Sequence, residues 1–550
     1  MAHVALVGPE LEENLSLRYI ASSLALDGHT TDLFPFNSEA DFADVVEGVL
    51  ASGAMLVGIS LAFQWRARDF LAVALALRDR GYRGHITLGG HFATFEAPSI
   101  LQDFPEVDSV CRQEAEDTVR ALVRALVDGT PVDDVPGLAL LRGTDVVLTA
   151  HPELPDLATL PVPDRRGEPA ACFGHGIAPL VSSRGCYANC SFCCIAAWHE
   201  QSLPGKRYRL RDVNAVADEM VAMKRDRGVD IFVFHDDNFF VPGHRHNKER
   251  FSALADALEA RGIGRYATVV KARPTDVDPE VFRILRDRLH CIRVYIGIET
   301  DADQGLRTLR RWSKSRQNHT AIDLVRELDL YTCFNMLVFD PDTTVESLET
   351  NIEFLRYAPE FPSNFGRVEL YAGTPLLARM KTEKRCRGDY MQWDYSLATP
   401  EIERVFALSM EAFHERNFGE GALANRIMGT RFDVEVVRHF HPEAFRAEWL
   451  ARGKELSRRL TLTGADGLSE IVSFVKRGGG LAEERTLVES LASRMREVEA
   501  EIGEGARELA RELLASVGQG APLTEIGDRV MTPLQRARET EPFVNQGAAE

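Results

Sequence analysis

Short apolar runs alternate with amphipathic stretches through the first 150 residues. His3–Val7, Met55–Ser60, His85–Leu88 and Val107–Val110 have the length and composition of strands, and Leu17–Leu26 and Phe70–Leu77 carry helical spacing between them. Strand alternating with helix predicts a parallel sheet covered on both faces, which binds ligands beyond the carboxyl ends of its strands. Those ends read Gly8-Pro9-Glu10, Ser60-Leu61-Ala62, Gly89-Gly90-His91 and Cys111-Arg112-Gln113-Glu114. Two adjacent glycines let a backbone come close to a flat or phosphate-bearing ligand. A tight turn accounts for Gly89-Gly90 equally well.

From Pro152 to Pro169 the chain is rich in proline and acidic residues, the composition of a linker or a surface strap. A second alternating region follows. Its expected strands are Ala178–Val181, Asp230–Phe234, Tyr266–Val270, Ile292–Ile296, Thr332–Val338 and Val368–Leu370, with helices such as Val213–Lys224, Glu249–Glu259 and Thr320–Leu328 between them. Six such units predict an open or closed barrel whose functional groups sit at the strand C-terminal ends. Beyond about residue 400 the strand pattern fades. Leu487, Leu491, Met495, Val498, Ile502, Leu509 and Leu513 mark one long amphipathic helix with a core-packing stripe. The turns Gly518-Gln519-Gly520 and Gln546-Gly547-Ala548 are expected to fray.

Composition narrows the class. With 550 residues, 45% of them hydrophobic and 27% charged, the chain has the make-up of a globular protein of three or four structural units. Lys plus Arg number 64 against 83 Asp plus Glu, a formal charge of −19, which argues against a nucleic-acid partner. The opening MAHVALVGPE lacks a basic, apolar leader and no apolar run is long enough to span a bilayer, so the expectation is a cytoplasmic protein with no membrane partner. Nine cysteines in such a compartment are not expected to form disulfides. Four of them fall within nine residues: Cys186, Cys190, Cys193 and Cys194.

The spacing Cys186-x3-Cys190-x2-Cys193 directly follows an expected strand. Three thiolates so close can wrap one face of an iron–sulfur cubane and leave its fourth iron open to a ligand. Structural zinc on Cys186, Cys190, Cys193 and either Cys194 or His199 is the rival, although zinc sites more often use two separated pairs. The loop, with Phe192 just before its third cysteine, resembles that of radical SAM enzymes. The resemblance implies a 4Fe-4S cluster on Cys186, Cys190 and Cys193, whose open iron chelates S-adenosylmethionine for reductive cleavage to a 5′-deoxyadenosyl radical. It extends to His235-Asp236-Asp237-Asn238-Phe239, similar to the family's polar SAM-contacting turn, and to Gly297-Ile298-Glu299, similar to its GxE strand end. Asp340-Pro341-Asp342-Thr343 resembles its PGET turn, with Asp342 a departure, and Tyr371-Ala372-Gly373-Thr374-Pro375 its closing GTP-like turn. Phe192, Asp236, Asp237 and Glu299 are the SAM-side candidates. Taken singly, an Asp-Asp-Asn turn is a helix cap or a solvated loop.

The first region is similar to the cobalamin-binding domain that precedes the barrel in one radical SAM subclass. That resemblance makes Ser60, Gly89, Gly90 and His91 candidates for contacting the corrin. The DxHxxG loop that supplies an axial histidine elsewhere is absent, which leaves Gln64 as the candidate for the lower face. A degenerate domain without a corrin is the alternative. The implied fold is α/β: a Rossmann-like, flavodoxin-like domain over 1–150, a linker over 151–177, a partial (βα)6 radical SAM barrel over 178–400 and a helical C-terminal domain over 401–550. A single cluster is expected, since only Cys111 precedes the linker and Cys386 is the last cysteine.

The leading expectation is a cobalamin-dependent radical SAM methyltransferase acting on an unactivated carbon or phosphorus of a small molecule. Hydrogen abstraction makes a radical that takes methyl from methylcobalamin, and an external one-electron reductant of flavodoxin or ferredoxin type supplies electrons. The second is radical chemistry without methyl transfer, in which Cys333 or Tyr295 could return a hydrogen atom if they are not simply core. A cobalamin or metal sensor is the third, and the acidic composition speaks against it.

Overall fold

The computed structural model describes residues 1–202, 207–419 and 422–518. The frayed turns expected from Gln519 onward lie outside them. The described residues divide into two compact units. One comprises Met1–Glu168, Ser183–Asp212 and Glu369–Tyr395, and the other Pro169–Ser182, Val213–Val368 and the residues from Ser396 on.

The first unit is built on seven strands: β1 (His3–Gly8), β2 (Thr30–Pro35), β3 (Leu56–Ser60), β4 (His85–Gly89), β5 (Ser109–Cys111), β6 (Leu138–Arg142) and β7 (Asp145–Leu148). Their order is β2-β1-β3-β4-β5-β6-β7, parallel from β2 to β5 and antiparallel at β6 and β7. Val4, Ala5, Leu6 and Val7 are all buried, the continuous apolar run of a strand covered on both faces. The proline-rich stretch is a strap pinned across this unit. Arg18 donates to the carbonyls of Asp164 and Arg166 at 2.9 and 3.0 Å, and Arg165 pairs with Glu13. Two hairpins complete the unit, Ser183–Gly185 with Tyr208–Leu210, and Cys386–Asp389 with Gln392–Tyr395.

The second unit carries β8 (Ala170–Cys172), β9 (His175–Leu180), β10 (Val229–Phe234), β11 (Ala267–Ala272), β12 (Cys291–Ile296), β13 (Thr332–Phe339) and β14 (Ser363–Arg367). From β9 to β14 the pairing is parallel throughout, six βα units of a half-barrel, and β8 adds antiparallel to β9. The sixth strand is Ser363–Arg367 where Val368–Leu370 was expected. Pairing with β13 and burial of Ser363 hold that polar segment extended, while the apolar Val368 lies just past the strand end and donates its amide to Phe339. One face of the sheet packs against the helix Leu423–Phe440, and Ile427, Phe432 and Val436 of that helix share a core with Ile231, Val269, Ile292 and Cys333 of the strands. The helices Ala447–Lys476 and Leu481–Val517 pack on it in turn. No helix among the described residues is long and apolar enough to cross a membrane.

Candidate functional site

The cysteine loop lies in the first unit. Gly185 ends the strand before it with φ +95°, and a Cβ there would fall 2.0 Å from the Arg207 carbonyl oxygen. Only glycine lets the two arms of the hairpin approach so closely. Cys190 is buried, Cys186, Cys193 and Cys194 half-buried, and the helix Cys194–Ser202 begins as the loop ends. The Ala188 amide donates to Sγ of Cys186 at 3.4 Å. Burial raises the pKa of Cys193 well above that of an ordinary thiol, and the neighbouring sulfurs of Cys194, Cys190 and Cys186 raise it further. Four thiols that feel one another's charge form a donor set that a cationic cluster would hold as thiolates. Among the described residues no three His, Cys, Asp or Glu side chains converge tightly enough for a single ion. A tetrahedral zinc site would need its sulfurs within about 4 Å of each other, given bonds of about 2.3 Å.

The strand end Cys111-Arg112-Gln113-Glu114, together with Glu116, holds this loop. Arg184, just ahead of Cys186, donates to Glu114 and to Glu116, the latter at 2.6 Å, and its guanidinium lies 4.9 Å from the centre of the Tyr19 ring. Arg209, on the partner strand of the hairpin, reaches the other oxygen of Glu114. Burial works to raise the pKa of Glu114, but Arg184 and Arg209 outweigh it and hold the carboxyl below its ordinary value. Ser202 meets Gln113 at the far end of the cysteine helix. The loop after β5 is thus the anchor of the cysteine hairpin.

The glycine-bearing strand ends stand in the same unit. Ser60 pairs with Gly89, and the Leu61 amide donates to the Gly89 carbonyl at 2.7 Å. Gly90 has φ +106°, and a Cβ on it would meet Leu61 and Ala62 backbone atoms at 2.9 Å, so its glycine is required by the turn itself. At Gly89 a Cβ would meet nothing nearer than the Cys111 carbonyl oxygen at 3.8 Å. That bare backbone edge is the kind of cradle a flat macrocycle can rest on, and the residues fit a corrin to that extent. His91 begins the next short helix, its ring 4.8 Å from that of Trp198 on the cysteine helix. Gln64 is buried and accepts the Ala372 amide at 3.0 Å, which ties it to the turn Tyr371–Pro375. The next residues of that turn reach the cluster loop, where the Leu376 amide donates to the Ser191 carbonyl at 2.8 Å.

The remaining candidates belong to the second unit. Asp236 is buried and both its oxygens accept from Ser182, from the amide at 3.1 and 3.2 Å and from the hydroxyl at 2.8 Å. Arg250 closes the knot through the Ser182 hydroxyl at 2.5 Å. Asp236 therefore fixes the chain just past β9, at the residue immediately before the cysteine hairpin. Asp237 beside it is exposed. Glu299 follows β12 with φ +64°, an uncommon conformation for a residue with a side chain and one that marks functional turns. A Cβ on Gly297 would lie 3.0 Å from Oε1 of Glu299 and 3.3 Å from Nη2 of Arg311. The glycine of this Gly-x-Glu pattern clears room for the carboxylate. Burial raises the pKa of Glu299, and Arg311 and Arg273 pull it partly back. Those two arginines, both buried, were not singled out by the sequence. Asp340 and Asp342 are bound within their own turn and to the helix Asp303–Thr308, by Gln304 at 3.1 Å and Thr308 at 2.7 Å. Tyr295 and Cys333 are paired neighbours on β12 and β13, and Cys333 is packed in the core, its thiol pKa pushed up by burial.

Residues 4–123 match the family model of the B12 binding domain, and residues 180–355 match that of the radical SAM superfamily. The chain belongs to the radical SAM superfamily and carries a B12-binding domain. Its cofactors are therefore a 4Fe-4S cluster, S-adenosylmethionine and cobalamin. Among curated relatives, an anaerobic magnesium-protoporphyrin IX monomethyl ester cyclase of Cereibacter sphaeroides is 27% identical over 351 residues, covering 61% of this chain and 53% of that one. The chain thus spans about half the length of that relative. A hopanoid C-3 methylase of Methylococcus capsulatus is 26% identical over 423 residues, covering 74% of this chain and 78% of the relative. Among solved structures, the cobalamin-dependent S-adenosylmethionine radical enzyme OxsB, with aqua-cobalamin and S-adenosylmethionine bound, matches with a TM-score of 0.70 at 15% identity. That match covers 96% of this chain and 85% of that one, and establishes a shared fold.

Proposed function

We propose that this radical SAM enzyme is a methyltransferase acting on an unactivated carbon or phosphorus centre of a small molecule. The observation that carries the reading is the anchoring of the cysteine hairpin, through Glu114, Glu116 and Gln113, on the loop that ends β5 of the B12-binding domain. The candidate residues for both metallocofactors belong to one compact unit, which supports this reading. The bound cofactors supply one-electron cleavage of S-adenosylmethionine and a transferable methyl group.

In this reading Cys186, Cys190 and Cys193 ligate the cluster, Phe192 packs beside it, and Cys194 starts the helix without ligating. Asp237 and Glu299 serve S-adenosylmethionine, with Asp236 setting the position of the turn. Gly89 and its neighbours Ser60, Gly90 and His91 receive the corrin, with Gln64 near its lower face. A flavodoxin or ferredoxin supplies electrons.

The curated cyclase relative favours a second reading, radical chemistry without methyl transfer. Product stoichiometry separates the two. Methyl transfer consumes one S-adenosylmethionine as 5′-deoxyadenosine and another as S-adenosylhomocysteine, so both accumulate in about equal amounts per turnover. Withholding cobalamin should abolish both in the steady state. Substrate turnover by cobalamin-free enzyme, with 5′-deoxyadenosine as the sole nucleoside product and no gain of a methyl mass, would establish the second reading instead.

A further inference from the structure

The N-terminal ends of the half-barrel strands carry histidines that neither cofactor uses. His175 opens β9 directly after a turn in which Phe173 and Gly174 both take left-handed φ, +49° and +82°. His441 caps the C-terminal end of the helix Leu423–Phe440. The two Nε2 atoms face each other at 3.1 Å, and the His175 ring stacks on Phe440 with centroids 4.0 Å apart. Behind His175, Nδ1 lies 2.8 Å from Oδ2 of Asp230, whose other oxygen takes the Lys224 ammonium. A carboxylate accepts, so the tautomer that bonds it carries its proton on Nδ1 and turns an Nε2 lone pair toward His441.

We propose that His175 and His441 form a binding site for a divalent ion of the zinc or nickel type. Two imidazoles bound to one ion at 2.0–2.1 Å place their nitrogens about 3.1–3.4 Å apart for angles near tetrahedral, and the observed separation falls at the lower edge of that range. A carboxylate on the second nitrogen of a ligating histidine is the usual outer support of such a site, since it fixes ring orientation and raises ligand basicity. The side chain of His175 is 19% exposed, so an ion can reach it from solvent. The neighbouring histidines are otherwise placed. His439 bonds the Tyr266 carbonyl at 2.8 Å, and the ring of His290 packs edge-on against that of Tyr266. No third His, Cys, Asp or Glu among the described residues converges on the point between the rings, so the other positions fall to water or to exposed Glu443, two residues along from His441. An ion here staples the first strand of the half-barrel to the end of the helix that crosses its sheet, away from the strand ends that precede Glu299.

The test uses the full chain with its cluster and cobalamin loaded, stripped of loose metal with a chelator and dialysed against low micromolar Zn2+. Metal content by mass spectrometry should show one zinc per chain more in the parent than in His441→Gln, with iron unchanged in both. Zinc should raise the melting temperature of the parent by several degrees and leave that of His441→Gln unmoved. Asp230→Asn should weaken zinc binding by about 10–100-fold. Zinc taken up by free thiols appears equally in parent and variant and cancels in the difference. His441→Gln, at a half-buried helix cap, is the deciding variant even if His175→Ala fails to fold. Equal zinc content and equal thermal shift in parent and His441→Gln would overturn the site, as would a parent that takes up no excess zinc.

Discussion

Glu114 receives Arg184 on one oxygen and Arg209 on the other while its own side chain is only 4% exposed. Replacing it with glutamine takes the counter-charge from Arg209 and leaves Arg184 with Glu116 alone, and breaking a buried pair in this way costs about 3–5 kcal/mol. Glu114→Gln should melt earlier and hold less cluster, read from iron content. The pH dependence follows from the depressed carboxyl pKa. The stabilisation is complete above the ordinary glutamate value of about 4.3 and is lost as pH falls through the lower folded value. Acid titration of the parent should therefore show a loss of stability in that window that the glutamine variant lacks. Among the thiols, Cys193→Ala should abolish the cluster and Cys194→Ala should keep it; EPR of the two variants decides, and the opposite result shifts the ligand set by one residue. Glu299→Ala, with its cluster intact, should bind S-adenosylmethionine less tightly by about 1.5–3 kcal/mol, the worth of a hydrogen bond to a charged group. Unchanged affinity in calorimetry would remove Glu299 from the SAM side. The cysteine spacing and the Gly297-Ile298-Glu299 pattern could be picked out as candidates because each is local in sequence. Arg273 and Arg311 could not, and Glu114 was read only as part of a strand end and not as the partner of Arg184 and Arg209, since each finds its partner only after the chain has folded.

Elements with continuous apolar runs were legible in the same way. β1, β3, β4 and the strands from β9 to β13 were all expected within a few residues of their observed bounds. β2 escaped because Thr30-Thr31-Asp32-Leu33-Phe34-Pro35 is an edge strand with alternating exposure and polar residues at its start. β14 was displaced because its residues, Phe365 apart, are not apolar and are held extended by their pairing with β13. The turn Tyr371–Pro375 gives a test at this scale. Gly373 has φ +74°, and a Cβ there would fall 2.2 Å from Cδ1 of Phe95 in the B12-binding domain. Gly373→Ala should lose about 1–3 kcal/mol from the strained backbone alone, with the ring clash added. Combining it with Phe95→Leu should recover the clash and leave the backbone cost. Denaturant unfolding of the two variants separates the terms, and an alanine variant as stable as the parent would show that the turn is not held as described.

At the scale of the whole chain, the helices after residue 400 are part of what keeps the half-barrel folded. Leu509 and Leu513 of the long C-terminal helix are fully buried, in one core with Phe432 and Val436 of the helix Leu423–Phe440 and with Ile231, Val269 and Cys333 of the strands. Their stripe was legible as helical periodicity, but its destination was not, because spacing tells which residues are buried and not what buries them. Leu509→Ala removes three carbons from a site with no exposure and should cost about 2–5 kcal/mol. Cys172 and Cys333 belong to the same core and are buried thiols, so they report its opening. A stability loss of 2 kcal/mol multiplies the open population by about 30, and a thiol reagent that reacts only with the open form should label both cysteines faster by that factor or more. Labelling of Cys172 and Cys333 at the parent rate would mean that the C-terminal helix is dispensable to the sheet, and that this core is held by the helix Leu423–Phe440 alone.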